Sequence, residues 1–300
     1  SAYSGFPADA LTGFVGVDVG GDGDSSYNYY FVQDAGEIIY GDLWYMALQA
    51  KGGGYGFENC FISNCAGVVT LSGSDVYYAT SSDAAHFTVH ELDPHTHVST
   101  TVGTFDTGEL PHIKCMVANP WDNEIMFITL MGDVLLFSVD DGSVVTVTPP
   151  AGTSDLPFQQ AAVVEVNGHG RYVFGNAGTK LNMITNNGSS NPDTAVVNFP
   201  AGHNWSGPIA GLCISDSKAF VAVGDSTTKA LVGVVNGIAT DSPSYQDHAI
   251  PLFNNSTTLP RLTAIQAVIP SGTAKAVVGT ESGLGPPIGY FPEFYEIHKT

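Results

Sequence analysis

The sequence predicts an all-β chain assembled from repeated four-stranded antiparallel meanders. Short apolar runs bounded by Gly, Asp, Asn and Ser recur through the 300 residues, and such runs read as strands joined by hairpins. They come in groups that repeat at roughly 45 to 50 residues, within the range of sheet-sized repeats. No segment carries a long helical period with caps at its ends, so no helix is expected.

The clearest unit is Ala118 to Val139 with its flanks. Ile125 to Leu130 and Val134 to Val139 are apolar runs that meet at a Met131-Gly132-Asp133 turn. Val144 to Val147 follows the turn Asp140-Asp141-Gly142-Ser143. The first two runs do not alternate apolar and polar residues, which predicts burial of both faces. A meander buried on both faces needs another sheet on each side, so this unit should be one of several copies.

The remaining copies follow in chain order. The first begins with Gly13 to Val17 and Tyr27 to Val32, and continues through Glu37 to Tyr40 and Leu43 to Leu48. The second has Ala66 to Leu71, Val76 to Thr80, Phe87 to Leu92 and Val98 to Val102. The third enters the central unit through Ile113 to Val117. The fourth has Ala161 to Val166, Arg171 to Phe174, Leu181 to Ile184 and Ala195 to Phe199. The fifth has Ile209 to Ile214, Ala219 to Val223, Leu231 to Val235 and His248 to Leu252. The sixth has Thr263 to Ile269, Ala274 to Val278, Ile288 to Phe291 and Phe294 to Ile297.

Six such meanders resemble the blades of a six-bladed β-propeller of four-stranded antiparallel blades. The resemblance covers nearly the whole chain as a single domain, 1–300, with blades at approximately 11–57, 58–108, 109–156, 157–202, 203–258 and 259–300. It lies in the repeat pattern; the WD dipeptide, the sialidase Asp-box and the kelch double glycine are not repeated. A pair of β-sandwiches is the other all-β architecture, but it calls for alternating strands with one solvated face.

The resemblance implies ligand binding at the channel mouth, on the loops that enter each innermost strand. That rule would bring Glu58, Asn59, Glu109, His112, Gln159, Gln160, His203, Asn204 and Arg261 to one mouth. Carboxylate and amide oxygens suit a hard cation such as calcium, and some six-bladed lactonase-like hydrolases hold a central calcium in this way. The plainer reading is that lead-in loops are polar because they lie at the surface.

Other motifs are weaker. Asp22 and Asp24 sit in a Gly-rich stretch that fails the EF-hand pattern, since Tyr27 stands where a Gly is required. As carboxylates they are candidates to share a cation, but capping a hairpin suits them better. His90, Glu91, Asp93, His95 and His97 form the densest cluster of candidate zinc ligands; an exposed outer hairpin is the competing account. No Gly-x-Ser-x-Gly elbow marks a nucleophile, and Gly52 to Gly56 lacks a phosphate-binding Lys. The aromatic residues, densest in the first copy (Tyr27, Tyr29, Tyr30, Trp44 and Tyr45), could stack on sugars or simply fill strands.

Composition narrows the function. The net charge is -20, from Lys+Arg 9 against Asp+Glu 29. Too few cations are present to neutralise phosphates, which argues against nucleic acid and anionic membranes. No apolar stretch is long enough to span a membrane. The start at Ser1, without Met or an apolar leader, fits a mature secreted product. Cys60 and Cys65 are spaced to close a local disulfide loop, whereas Cys115 and Cys213 are expected to be buried thiols. Asn187, Asn204, Asn254 and Asn255 head glycosylation acceptor patterns. These features favour an extracellular, secreted or surface-displayed module that binds a glycan or a protein, or serves as a subunit of an assembly. The alternative is a calcium-dependent hydrolase with its site at the channel mouth.

Overall fold

A computed structural model of the chain describes residues 11–18, 27–34, 44–51, 61–63, 65–72, 75–81, 86–94, 96, 98–106, 113–129, 132–150, 161–175, 180–188, 191–198, 209–215, 218–223, 231–249, 261–268, 275–281 and 292–298. Among them every regular element is a strand. No helix among the described residues is long and apolar enough to cross a membrane.

The chain divides into two compact units, Ser1–Thr146 and Val147–Thr300. In the first unit, β1 (Leu11–Asp18), β2 (Tyr27–Asp34), β3 (Trp44–Lys51) and β4 (Phe61–Ser63) form a sheet in sequence order. The next sheet holds β5 (Cys65–Thr70), β6 (Val76–Ser81), β7 (His86–Leu92) and β8 (Ser99–Asp106). The third holds β9 (Ile113–Asn119), β10 (Glu124–Thr129), β11 (Val134–Ser138) and β12 (Val144–Val147), which reaches the unit boundary.

The second unit repeats the plan. One sheet contains β13 (Ala161–Val166), β14 (His169–Gly175), β15 (Lys180–Thr185) and β16 (Asp193–Asn198). The next contains β17 (Ile209–Ser215), β18 (Lys218–Val223), β19 (Leu231–Asn236) and β20 (Ser244–Ala249). The described strands of the last sheet are β21 (Arg261–Val268), β22 (Lys275–Glu281) and β23 (Pro292–His298). All pairings within these sheets are antiparallel between sequence neighbours.

Burial follows strand position. All of β10 is buried, and β11 is buried except for Ser138 at its end. These strands have the continuous apolar runs expected of two covered faces. The last strands are the wettest: most of β8 and β16 is exposed or half-buried, and their Ser, Thr and Asp residues face water. Tight turns keep the meanders compact. Between β13 and β14, Asn167 and Gly168 both take positive φ, 54° and 85°, as the favoured two-residue hairpin turn requires.

The first strands of successive sheets are neighbours: β1 with β5 and β5 with β9 in the first unit, β13 with β17 and β17 with β21 in the second. A common irregularity marks these strands. The register of β1, β5, β9, β17 and β21 against their partners skips one residue near the strand start, at Thr12, Ala66, Lys114, Ala210 and Thr263. Each skipped residue is followed by a small one: Gly13, Gly67, Cys115, Gly211 or Ala264. An extra residue bends and twists a strand. At Gly67 the reason for small size is visible, because a Cβ there would lie 3.1 Å from both Cβ and Sδ of Met116 on β9. Gly67→Val is therefore expected to destabilise by about 1–3 kcal/mol through overpacking, read by chemical denaturation. Unchanged stability would show that β5 and β9 need no close approach there.

Phe87, Phe105, Phe127 and Phe137 fill the core between the second and third sheets of the first unit. Phe105 stacks on Phe87 with centroids 5.1 Å apart and tilts against Phe127 at 4.9 Å. Phe137 meets Phe127 edge-on at 6.4 Å. Close approach is needed here too, since a Cβ on Gly103 of β8 would fall 2.9 Å from Cζ of Phe137 and 3.3 Å from Cα of Gly142. In the second unit, Val173, Leu181, Met183, Leu212 and Val235 belong to one core shared by its first two sheets.

Candidate functional site

Most of the polar residues singled out for a channel mouth lie outside the described residues: Glu58, Asn59, Glu109, His112, Gln159, Gln160, His203 and Asn204. So do Asp22, Asp24, Asn254, Asn255 and Cys60. Glu109 and His112 fall in the segment entering β9, Gln159 and Gln160 in that entering β13, and His203 and Asn204 in that entering β17. Arg261 opens β21. Glu58 and Asn59 instead precede β4, because Phe61–Ser63 pairs with β3 and closes the first sheet. Cys65 opens β5, beyond that junction.

The histidine hairpin is better defined. His90 pairs across strands with Tyr78, and their rings stack with centroids 4.8 Å apart. Its Nε2 is 2.9 Å from Thr80 Oγ1 and its Nδ1 is 3.5 Å from Thr101 Oγ1. One ring nitrogen of the neutral imidazole donates and the other accepts, so threonine hydroxyls satisfy both. Glu91 alternates to the other face, beside Tyr77. His95 and His97 lie outside the described residues. Among the described residues no three His, Cys, Asp or Glu side chains come together to hold a metal.

Burial holds the His90 pKa below the usual histidine value of 6.5. A lowered value means that the fold favours the neutral ring. Its stabilisation is complete above the unfolded pKa and is lost as pH falls through the folded one. Thermal melts taken from about pH 7 down to about pH 5 should fall less steeply in His90→Gln than in the parent chain. Parallel curves would remove His90 from the acid response.

The turns of the second and third sheets form a polar surface held by hydrogen bonds. The β9–β10 turn carries Pro120, Trp121, Asp122 and Asn123. Asn119, fully buried, donates from Nδ2 to Asp122 Oδ2 at 2.7 Å and accepts the backbone N–H of Trp121 on Oδ1 at 3.2 Å. Asn123, at φ 50°, donates to Asp140 Oδ1. Its carbonyl accepts the Val139 N–H at 3.0 Å, so the β9–β10 and β11–β12 turns are tied together. Asp141 accepts the Ser143 N–H at 3.0 Å, and that bond leads the effects that lower its pKa.

Tyr77 connects this surface to the second sheet. Burial, followed by the carboxylates of Glu91, Asp75 and Asp140, pushes its phenol up to about 12. Three acidic side chains from three chain segments thus act on one ring. Cys115 and Cys213 are buried thiols, as expected, and burial raises Cys213 to about 12. Neither is poised as a nucleophile.

No protein-family model matches this chain, and no curated protein sequence matches it. Solved structures do. BBS1N, in its complex with ARL6DN, is similar over 94% of this chain and 78% of its own, with a TM-score of 0.57 and 14% identity. The β-propeller domain of Myceliophteria thermophila Cps50 (Swd1) is similar over 90% of this chain and 80% of its own, with a TM-score of 0.56 and 8% identity. Chaetomium thermophilum Sqt1, bound to the N-terminus of the ribosomal protein L10, is similar over 91% of this chain and 84% of its own, with a TM-score of 0.50 and 11% identity. At these identities the likeness is one of fold, and that fold is the β-propeller.

Proposed function

We propose that this chain is a protein-interaction module, a rigid propeller scaffold that presents its loops and turns to a partner. One observation carries this reading: propellers with similar sheets, BBS1N and Sqt1, were solved with protein partners bound. The charge balance of -20 supports a protein partner over nucleic acid. An extracellular setting is part of the proposal. It rests on the Asn-, Ser- and Thr-rich composition and on Asn187, which heads an acceptor pattern and stands exposed after β15. A glycan ligand is the finer alternative within the same class, drawing on the aromatic residues.

The test is an array of purified secreted proteins and glycans probed with the full chain. Saturable binding to protein features supports the reading. Binding confined to glycans replaces the partner class, and a blank array under conditions where the chain is folded overturns the module itself.

A further inference from the structure

The β5–β6, β7–β8, β9–β10 and β11–β12 turns lie at one end of the second and third sheets of the first unit. The influence of Asp75, Glu91 and Asp140 on Tyr77 places three of these segments together. The approach of Gly142 to Val102 and Gly103 seats the β11–β12 turn against β8. Two features of the described residues mark this end.

The first is apolar exposure. Among the described residues the exposed large hydrophobics are Val98, 62% exposed, and Trp121, 41% exposed. Both stand on turns at this end. Trp121 is presented from a backbone fixed by the buried Asn119, so little freedom remains to be lost when a partner docks. The second is charge. Asp75, Glu91, Asp93, Asp122, Asp140 and Asp141 lie here. Lys51 and Lys114 are the only cations up to Thr146, and Lys51 belongs to the first sheet. Lys114 lies near the start of β9, at the opposite end from these turns.

We propose that this end is the docking face for a cationic segment of a partner protein, with Trp121 as its central contact. The proposal rests on the interaction-module reading and adds the face and the partner's chemistry. An Arg or Lys of the partner stacks on the indole, and its neighbours pair with the surrounding carboxylates, which also steer the approach. A metal ion fits less well. The carboxylates are spread over several turns, and no three gather at one point among the described residues.

The probe is a labelled peptide of alternating Arg and Leu, with a twin carrying Glu in place of Arg, titrated by fluorescence anisotropy against the full chain. The Arg peptide is expected to bind saturably and the Glu twin not to bind. Trp121→Ala should weaken binding about tenfold or more, and so should Asp140→Lys combined with Asp141→Lys. Glu165→Lys with Asp193→Lys, exposed sites on the second unit, makes the same charge change and should alter affinity less than about twofold.

Equal losses from the two charge-reversed pairs would reduce the effect to diffuse attraction and overturn the proposal. Undiminished binding by Trp121→Ala would also overturn it. If the Asp pair perturbs folding, as read by circular dichroism, Trp121→Ala alone decides. An arrayed protein that still binds both face variants removes this face and leaves the module reading standing. A blank array removes the module reading.

Discussion

Phe127→Ala is expected to lower stability by about 3–5 kcal/mol, the range for deleting a buried aromatic ring. Phe127 is fully buried on β10, a strand buried along its whole length. Its ring lies 4.9 Å from Phe105 and 6.4 Å from Phe137. These neighbours belong to two different sheets, so the void cannot close by moving one side chain. The sheets would have to shift together, and Gly103 already brings them as close as Phe137 allows. Denaturant unfolding of the variant measures the loss. Phe127→Leu keeps much of the volume and should lose roughly a third as much. A loss below about 1 kcal/mol for the alanine variant would mean that the aromatic cluster does not join the two sheets.

Arg171→Met is expected to cost about 2–4 kcal/mol, because it removes several charge-assisted hydrogen bonds from a buried position. The guanidinium on β14 donates from Nε to Thr185 Oγ1 at 2.7 Å. Its Nη1 donates to the carbonyls of Ile238 at 2.9 Å and Thr240 at 2.7 Å, in the turn between β19 and β20. Nη2 lies 3.6 Å from Asp241, a fully exposed side chain. The energy therefore resides in the two carbonyls and the hydroxyl, not in the ion pair. Methionine preserves much of the apolar stem but donates nothing. Lysine preserves the charge without the planar fork and should fall between. Asp241→Asn should leave unfolding nearly unchanged. The same denaturant measurement ranks the three variants. If Arg171→Met matched the parent, the fourth and fifth sheets would be held together without this contact.

The strands that carry the core were the most legible part of the chain. The lack of alternation in Ile125 to Leu130 and Val134 to Val139 predicts two covered faces, and β10 and β11 are buried in that manner. Outer strands were harder. β20 runs Ser244–Ala249, whereas the sequence suggested His248 to Leu252. Ser244, Gln246 and Asp247 carry almost no apolar signal, because an outermost strand needs little burial to be held by its ladder. β4 was hidden in a cysteine loop, since Phe61–Ser63 is too short to show a period.

A repeat signal was missed. An apolar residue, a free position and then a small residue open five of the first strands, as in Leu11-Thr12-Gly13 and Ile209-Ala210-Gly211. The bulge bends the strand, and the small residue leaves room for the next sheet, as Gly67 does for Met116. The turn surface was missed for a different reason. Pro120-Trp121-Asp122 lies between two apolar runs, and nothing local reveals that the indole stays exposed. That depends on Asn119 being buried and turning the backbone outward. His90 illustrates the limit of spacing alone. The sequence groups it with Glu91 as a candidate ligand, but the two point to opposite faces, and the hydroxyls of Thr80 and Thr101 that occupy its nitrogens come from neighbouring strands.

Every described sheet is drawn from one uninterrupted stretch of chain, each strand bonded to its sequence neighbour. Hydrogen-bonded contacts are therefore short in sequence even though the fold is entirely β, and the long search for distant partners that slows most β proteins is largely avoided. A nascent chain can zip each meander as it leaves the ribosome, and docking onto the preceding sheet of the same unit then supplies apolar cover. Amide exchange should accordingly protect the molecule sheet by sheet, with β10, β11 and β14 the last to release their protons.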